Sequence, residues 1–362
     1  ASINYDLSGN LTSLQRYRET ATLLDNLSYS NSTTTNRLNA VTDAVGATAE
    51  AWDAESGSFG YDANGNLKSA PAPYAITSVT YDQQNLPVSI VAGGITSSYR
   101  YNQAGQRITK QVGAGNTEVY LLEGSTPLGV FTVNGSGTPT SWYFNVMASD
   151  KVIGRQRNVG NRLYYHNDLL GSTRAVTDGA TVVESYDFEP FGLQMPGRSL
   201  VGSTKEGFTG KEQDTESGLS YFGARYYLPA VGRWGAVDPM SGESPEWSSY
   251  NYADGNPVGD VDPDGNVPVL KVLKLAVKIG KNGFSKASVA DAFRENIEDV
   301  KTLVDPTASG ISKGIAAASL IFDLVSPVGV SEIKAGAKRI GAVVDRLRGA
   351  SRTAAGEAGD EG

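Results

Sequence analysis

The chain has no cysteine and a single histidine, His166, among its 362 residues. A disulfide staple and a thiolate metal site are therefore both excluded. A zinc site built from several histidines is excluded too, and a Ser-His-Asp triad has one imidazole to draw on. Apolar runs of membrane-spanning length are also lacking. Between Gly314 and Val330 Asp323 is the only charge, but Pro327 interrupts the stretch and the clean run 315–322 is too short to cross a bilayer. Charged residues make up only 19%, so the placement of charge says more than its amount.

That placement divides the chain. Net charge is −8 overall, yet residues 267–362 hold 14 Lys/Arg against 11 Asp/Glu, while the first 266 hold 17 against 28. All 18 tyrosines and all four tryptophans precede residue 267. Two compositions point to two modules. The acidic, Tyr- and Gly-rich body reads as strands joined by tight turns and argues against non-specific nucleic-acid binding.

A repeat runs through the body. Tyr5 begins YDLSGNLTSL, Tyr61 begins YDANGNLKSA, Tyr81 begins YDQQNLPVSI and Tyr101 begins YNQAGQRITK. Gly and Asn supply positive φ at a hairpin turn, and Tyr and Leu pack one face of the next strand. One hairpin cannot bury a face alone, so the units are expected to stack into a continuous sheet. Residues 20–60 match no clean repeat and are expected to hold a degraded unit or a loop. Residues 111–162 continue as strand and turn. The chain opens inside a repeat and is expected to be the C-terminal piece of a longer protein.

These repeats resemble the YD repeats of the Rhs family, found in bacterial Rhs toxins, insecticidal toxin-complex C components and teneurins. The resemblance implies a mainly β fold, a sheet spiralling into a hollow shell, followed here by a small all-α module. It extends over 163–266 as an Rhs repeat-associated core domain. Tyr164, Tyr165, His166, Asp168, Gly171, Ser172 and Thr173 match its start, with Phe188-Glu189 inserted into its "YDPFG"-like segment. Lys211, Asp214, Gly223, Arg225, Tyr226, Tyr227, Gly232, Arg233, Asp238, Pro239, Tyr250, Tyr252 and the closing Asp262-Pro263-Asp264-Gly265 match its end. The expected domains are 1–162, 163–266 and 267–362. His166 is readable as a ligand or base, or as a hydrogen-bonded structural residue.

The core of this family is a self-cleaving aspartic peptidase, which implies one cut by the chain on itself, after Asn266 and before Val267. Peptide hydrolysis needs a base to activate water and an acid for the leaving amide. Two close carboxylates sharing one proton supply both. Asp238 and Asp262 are the candidates, with Arg233 to steady a carboxylate or the developing oxyanion. Asn266 departs from the family, which favours an apolar residue there. Asp-Pro and Asp-Gly also form ordinary turns, so a purely structural reading stands beside the catalytic one. No cofactor and no metal is expected.

The tail begins with an amphipathic helix in which Lys271, Lys274, Lys278 and Lys281 share a face. That face reads as a membrane-active surface or as the solvated side of a packed helix. Three more helices are expected before a polar end. The tail has no His, Cys, Tyr or Trp, so a nuclease-type metal site is not expected. The resemblance implies a secreted or cell-surface polymorphic toxin whose shell holds its own C-terminal cargo. It also implies an immunity protein and a secretion apparatus or chaperone as partners, and the membrane-active reading of the Lys face adds a target membrane for the cargo. The alternative is a non-enzymatic surface YD-repeat protein for adhesion or carbohydrate contact.

Overall fold

The computed structural model describes residues 2–17, 22–45, 56–148, 151–195, 197–243 and 245–266. The expectations for 267–362, helices included, lie outside the described residues. Every regular element among the described residues is a β-strand or a short 3₁₀ turn, so the body is mainly β as its composition required. Strands pair with their sequence neighbours, antiparallel. A five-stranded sheet runs from Ser2–Tyr5 to Gly57–Ser58, and an eleven-stranded one from Ile76–Tyr81 to Thr181–Ser185. A four-stranded sheet carries Glu212–Asp214, Leu219–Tyr221, Tyr226–Leu228 and Arg233–Trp234. The eleven-stranded sheet crosses residues 162–163 without a break, since Arg155 faces Leu163 across the ladder.

The repeat motif has a local cause. In three of the four units its Asp or Asn accepts two backbone N–H groups, two and four residues on. Asp6 Oδ1 takes Ser8 and Asn10 at 2.9 Å each. Asp82 Oδ1 takes Gln84 and Leu86 at 2.8 and 2.9 Å, and Asn102 takes Ala104 and Gln106 at 3.0 Å. The side chain thus satisfies donors that the turn would otherwise strand. At Gly65 the turn needs φ 88°, and a Cβ would lie 2.7 Å from the Tyr250 hydroxyl. The repeat tyrosine has its own task. Tyr81 donates to Leu67 O at 2.6 Å and Tyr101 to Pro87 O at 2.8 Å. Each ties its hairpin to the strand that follows the previous turn.

Residues 20–60 hold more order than their text implied. Leu23–Asn31 and Leu38–Asp43 are strands, joined by a turn in which Asn36 has φ 56°. Leu27, Leu38 and Val41 are fully buried, so apolar alternation survives where the motif does not.

The core lies where repeat strands meet the segment 208–253. Leu14, Leu27, Leu38, Leu67 and Ile90 come from the repeats, and Phe208, Phe222, Tyr227, Trp234 and Tyr252 from that segment. Most of the aromatic rings pack edge-on or tilted, with Tyr227 and Tyr252 centroids 4.4 Å apart and Phe222 and Trp234 5.0 Å apart, while Phe208 and Tyr227 stack. Each large side chain buried here stabilises the fold by about 1.5–3 kcal/mol. A buried ion network fastens the same two regions. Arg107 meets Asp214 at 2.8 Å and Glu212 at 3.0 Å, and Lys110 meets Asp214 at 2.7 Å and Glu216 at 3.0 Å.

Candidate active site

The segment Asp262-Pro263-Asp264-Gly265 folds as a turn held by its first side chain. Asp262 Oδ1 accepts the N–H groups of Asp264 at 3.2 Å and Gly265 at 2.8 Å. Gly265 has φ 85°, and a Cβ there would sit 3.0 Å from the Arg225 nitrogen. Glycine is therefore required both by the backbone and by the close approach of the 222–225 turn. Ala224 N–H donates to Asp264 O at 2.9 Å. The Lys211 ammonium donates to Pro263 O and lies 5.5 Å over the Phe222 ring. Burial pulls that lysine below its ordinary pKa, against the pull of Asp264 and Asp262.

Asp238 arrives from the other Asp-Pro turn. Its Oδ1 accepts Met240 N–H at 2.7 Å, and its own N–H donates to Ser249 O at 3.1 Å. Its side chain keeps 20% of its surface exposed, whereas that of Asp262 keeps 1%.

Arg225 joins these pieces. Its Nη2 lies 3.0 Å from Asp238 Oδ2 and 3.6 Å from Asp262 Oδ2. The same nitrogen donates to the backbone carbonyl of Asn266 at 3.2 Å. Nε donates to Gly265 O, and Nη1 to Ser249 O at 3.0 Å. The guanidinium stacks 4.2 Å over Trp234, which excludes water from one face of it. One cation thus touches both candidate carboxylates and the carbonyl of the candidate cleavage position.

Electrostatically the group is short of positive charge. Burial lifts the Asp262 carboxyl above its ordinary range; Arg225 and the Gly265 N–H oppose that without cancelling it. Asp262 Oδ2 is buried and has no hydrogen-bond partner among the described residues. Burial also pulls Arg225 below its usual value, against Asp238 and Asp262. A raised carboxyl beside an ion-paired one is the arrangement that separates an acid from a base.

Asp238, Asp262 and Asn266 therefore come together, and Val267 lies outside the described residues. Arg233 stands elsewhere. Its Nη1 donates to Asn31 Oδ1 at 2.8 Å, its Nη2 to Asn36 O at 2.7 Å, and it sits 5.2 Å over the Tyr250 ring. Its contacts brace the turn at residues 31–36. The residue that sequence reasoning missed is Arg225, thirteen positions before Asp238. Gly-Ala-Arg225 and Gly-Arg233 look alike as text, and only strand register separates them. His166 pairs with Thr177 Oγ1 at 3.1 Å on an exposed strand. Among the described residues no group of three or more His, Cys, Asp or Glu could hold a metal, and no helix is long and apolar enough to cross a membrane.

No protein-family model matches the chain. It is 28% identical over 222 residues to the tRNA3(Ser)-specific nuclease WapA of Bacillus spizizenii, covering 58% of this chain and 9% of that protein. It is 41% identical over 119 residues to salivary gland surface protein 1 of Aedes aegypti, covering 31% and 3%. A solved structure of TcdB2-TccC3 without its hypervariable C-terminal region aligns at TM-score 0.45 and 16% identity, over 73% of this chain and 18% of that one. Toxin subunit YenC1 of Yersinia entomophaga is 29% identical over 195 residues, covering 48% and 20%. The chain thus corresponds to a fifth or less of each of these proteins, and its bacterial relatives include a nuclease and a toxin subunit.

Proposed function

We propose that this chain is the C-terminal part of a secreted Rhs-type polymorphic toxin that cuts itself once, after Asn266, by an aspartic mechanism. Residues 163–266 act as the cutting core, and residues from Val267 onward are the cargo. The shell of repeats holds that cargo until delivery to a target cell. An immunity protein for the cargo and a secretion apparatus or chaperone complete the reading.

The observation that carries it is Arg225, whose guanidinium touches Asp238, lies beside Asp262 and holds Asn266 O. Cleaving a peptide needs a base for the nucleophile, an acid for the leaving amide and positive charge at the carbonyl oxygen. Asp238, ion-paired and partly exposed, takes the base role. Asp262, buried and with its carboxyl lifted above the ordinary range, is the member better suited to hold the proton and takes the acid role. Arg225 polarises the carbonyl. The reaction is single-turnover, because the substrate is the enzyme's own chain. The nucleophile in the simplest version is water.

The test is the intact mass of the purified chain under denaturing conditions, beside Asp238→Asn and Asp262→Asn. Two fragments meeting at Asn266–Val267 in the parent alone support the reading. A whole parent, or cutting that persists in both variants, rejects it. One observation favours a second reading, a non-enzymatic surface or adhesion protein: the Aedes aegypti relative is named as a surface protein. That reading requires a whole parent chain.

A further inference from the structure

The closing turn is a repeat turn with its last residue set loose. Asp6-Leu-Ser-Gly-Asn10, Asp62-Ala-Asn-Gly-Asn66 and Asp262-Pro-Asp-Gly-Asn266 share the pattern Asp, two residues, Gly, Asn. In the first two, the Asp clamps the Asn twice. Asp6 accepts Asn10 N–H at 2.9 Å and its side-chain amide at 2.9 Å. Asp62 accepts Asn66 N–H at 2.9 Å and its amide at 3.0 Å. At the third site both clamps are gone. Asp262 Oδ1 takes Gly265 instead, Asn266 N–H goes to Asp264 Oδ1 at 3.1 Å, and Asp262 Oδ2 has no hydrogen-bond partner among the described residues. The backbone of Asn266 is still held on both sides, by Asp264 at its nitrogen and by Arg225 at its carbonyl. What has been released is the side-chain amide.

We propose that Asn266 is the nucleophile of its own cut: its side-chain nitrogen attacks its backbone carbonyl carbon and expels the amine of Val267. The inference rests on the reading that the chain is cut after Asn266, and it replaces water in that reading. The bond from Nδ2 to the carbonyl carbon closes a five-membered ring. The carbonyl carbon's bond to the Val267 nitrogen breaks. Asp238 takes a proton from Nδ2, and Asp262 gives its proton to the leaving amine. Exchange of one proton between the two carboxyls resets the pair. The products are a cyclic imide at Asn266 and a free amino terminus at Val267, with no water consumed.

Three features favour this route. Attack within one residue is intramolecular and avoids the entropy cost of bringing in a second reactant, and the carbonyl it attacks is held by Arg225. Arg225 is 3% exposed and stacked on Trp234, so the carbonyl-binding cation sits in a site from which water is largely excluded. The competing ring closure, from the Val267 nitrogen onto the side chain, is slowed by the β-branch of Val267. An asparagine where the resemblance favours an apolar residue then supplies the nucleophile.

The test compares the parent with Asn266→Leu, both checked for the same thermal melting. Intact mass reports cutting, and tandem mass spectrometry reads the end of the N-terminal fragment. The expected result is a parent fragment lighter by one water than the hydrolysis product, or ending in isoasparagine after ring opening, and an Asn266→Leu chain that is cut more slowly and only to a fragment ending in a free α-carboxylate. A parent fragment that carries neither the imide nor isoasparagine at its end overturns the inference and leaves aspartic hydrolysis standing, as does cutting of Asn266→Leu at the parent rate. A whole parent chain overturns both.

Discussion

Two buried charge clusters flank the core, and they are tuned in opposite directions. In the first, burial pulls Arg107 and Lys110 down, but Asp214 and Glu212 pull harder, so both cations sit above their ordinary values. Burial likewise lifts Glu212, yet Arg107, Lys205 and Lys110 hold it at about 2. The charged forms of Arg107, Lys110 and Glu212 are all favoured. In the second, burial wins: Arg225 is lowered and Asp262 is raised. The first cluster spends its charges on joining the repeat strand Arg107–Val112 to Glu212–Asp214. The second leaves one carboxyl ready to carry a proton. Similar residue types at similar depth thus give a fastener in one place and, in the other, the pair to which the proposal gives the acid and base roles, and the difference is how completely partners offset desolvation.

The strongest way to break the comparison is to remove a member of each cluster. Asp214→Ala strands Arg107 and Lys110 without their shared partner. It is expected to cost about 3–5 kcal/mol, read by urea denaturation on an Asp238→Asn background so that cutting does not intervene. Asp262→Asn is expected to do the reverse in both respects. Cutting is lost, while stability at neutral pH is kept or raised. The sign follows from the raised carboxyl: the fold binds that proton more tightly than the unfolded chain does, which stabilises below the ordinary value of 3.8 and becomes a penalty as pH rises through the folded value. An Asp262→Asn chain that melts well below its background would mean that this carboxyl is a fastener too.

Arg225→Lys separates charge from geometry. Lysine keeps a cation near Asp238 but loses the planar fork that reaches Asn266 O, Gly265 O and Ser249 O together. Cutting is expected to slow on the order of 10²-fold or more, as when a donor to a developing oxyanion is removed. The measurement is the rate of fragment appearance after refolding from denaturant. Arg233→Lys is the matched control, with cutting at the parent rate. Equal slowing in both would return Arg233 to the site.

The pH dependence sharpens the same contrast. Glu212 at about 2 against its ordinary 4.5 stabilises the fold above about 4.5, and that contribution disappears as pH falls toward 2. Acid unfolding in this window should therefore weaken in Glu212→Gln. Cutting by the proposed mechanism runs the other way: with Asp262 as the acid, its rate should fall as pH rises through the raised value of that carboxyl. Stability and cutting followed over one pH series separate the two clusters within one molecule.

Much of this was legible in the text, for a physical reason. The repeat turn is a local device: Asp6, Asp82 and Asn102 bind N–H groups within four residues, so a short window contains the whole cause. Asp238 and Asp262 became candidates through the resemblance to the family's core, whose closing Asp-Pro turns are devices of the same local kind. Arg225 was not among them, because its role depends on the hairpin Leu219–Tyr221 to Tyr226–Leu228 placing residue 225 against Gly265, forty positions away. The strands at 23–31 and 38–43 were hidden for a related reason, since their burial is decided by partners outside the local motif. Likewise the sheet runs through 162–163, where the text changes but the ladder does not.

The smallest effect tests the local device itself. Tyr81 and Tyr101 donate to carbonyls of the preceding unit, and each such bond is worth about 1 kcal/mol net. Tyr81→Phe keeps the ring and its packing and removes only the hydroxyl. The expected loss is therefore near 1 kcal/mol in urea denaturation, and Leu67 O is left short of a partner. The double change Tyr81→Phe with Tyr101→Phe should sum, because the two acceptors, Leu67 O and Pro87 O, lie in separate units. A loss well above that sum would mean that the repeats do not act as independent neighbours. The hydroxyls would then belong to one cooperative unit with the Arg107 network, where Tyr226 accepts from Arg107 at 3.0 Å. Simple addition instead marks the two hydroxyl contacts as independent, each worth far less than the roughly 3–5 kcal/mol expected for Asp214→Ala in the charge network.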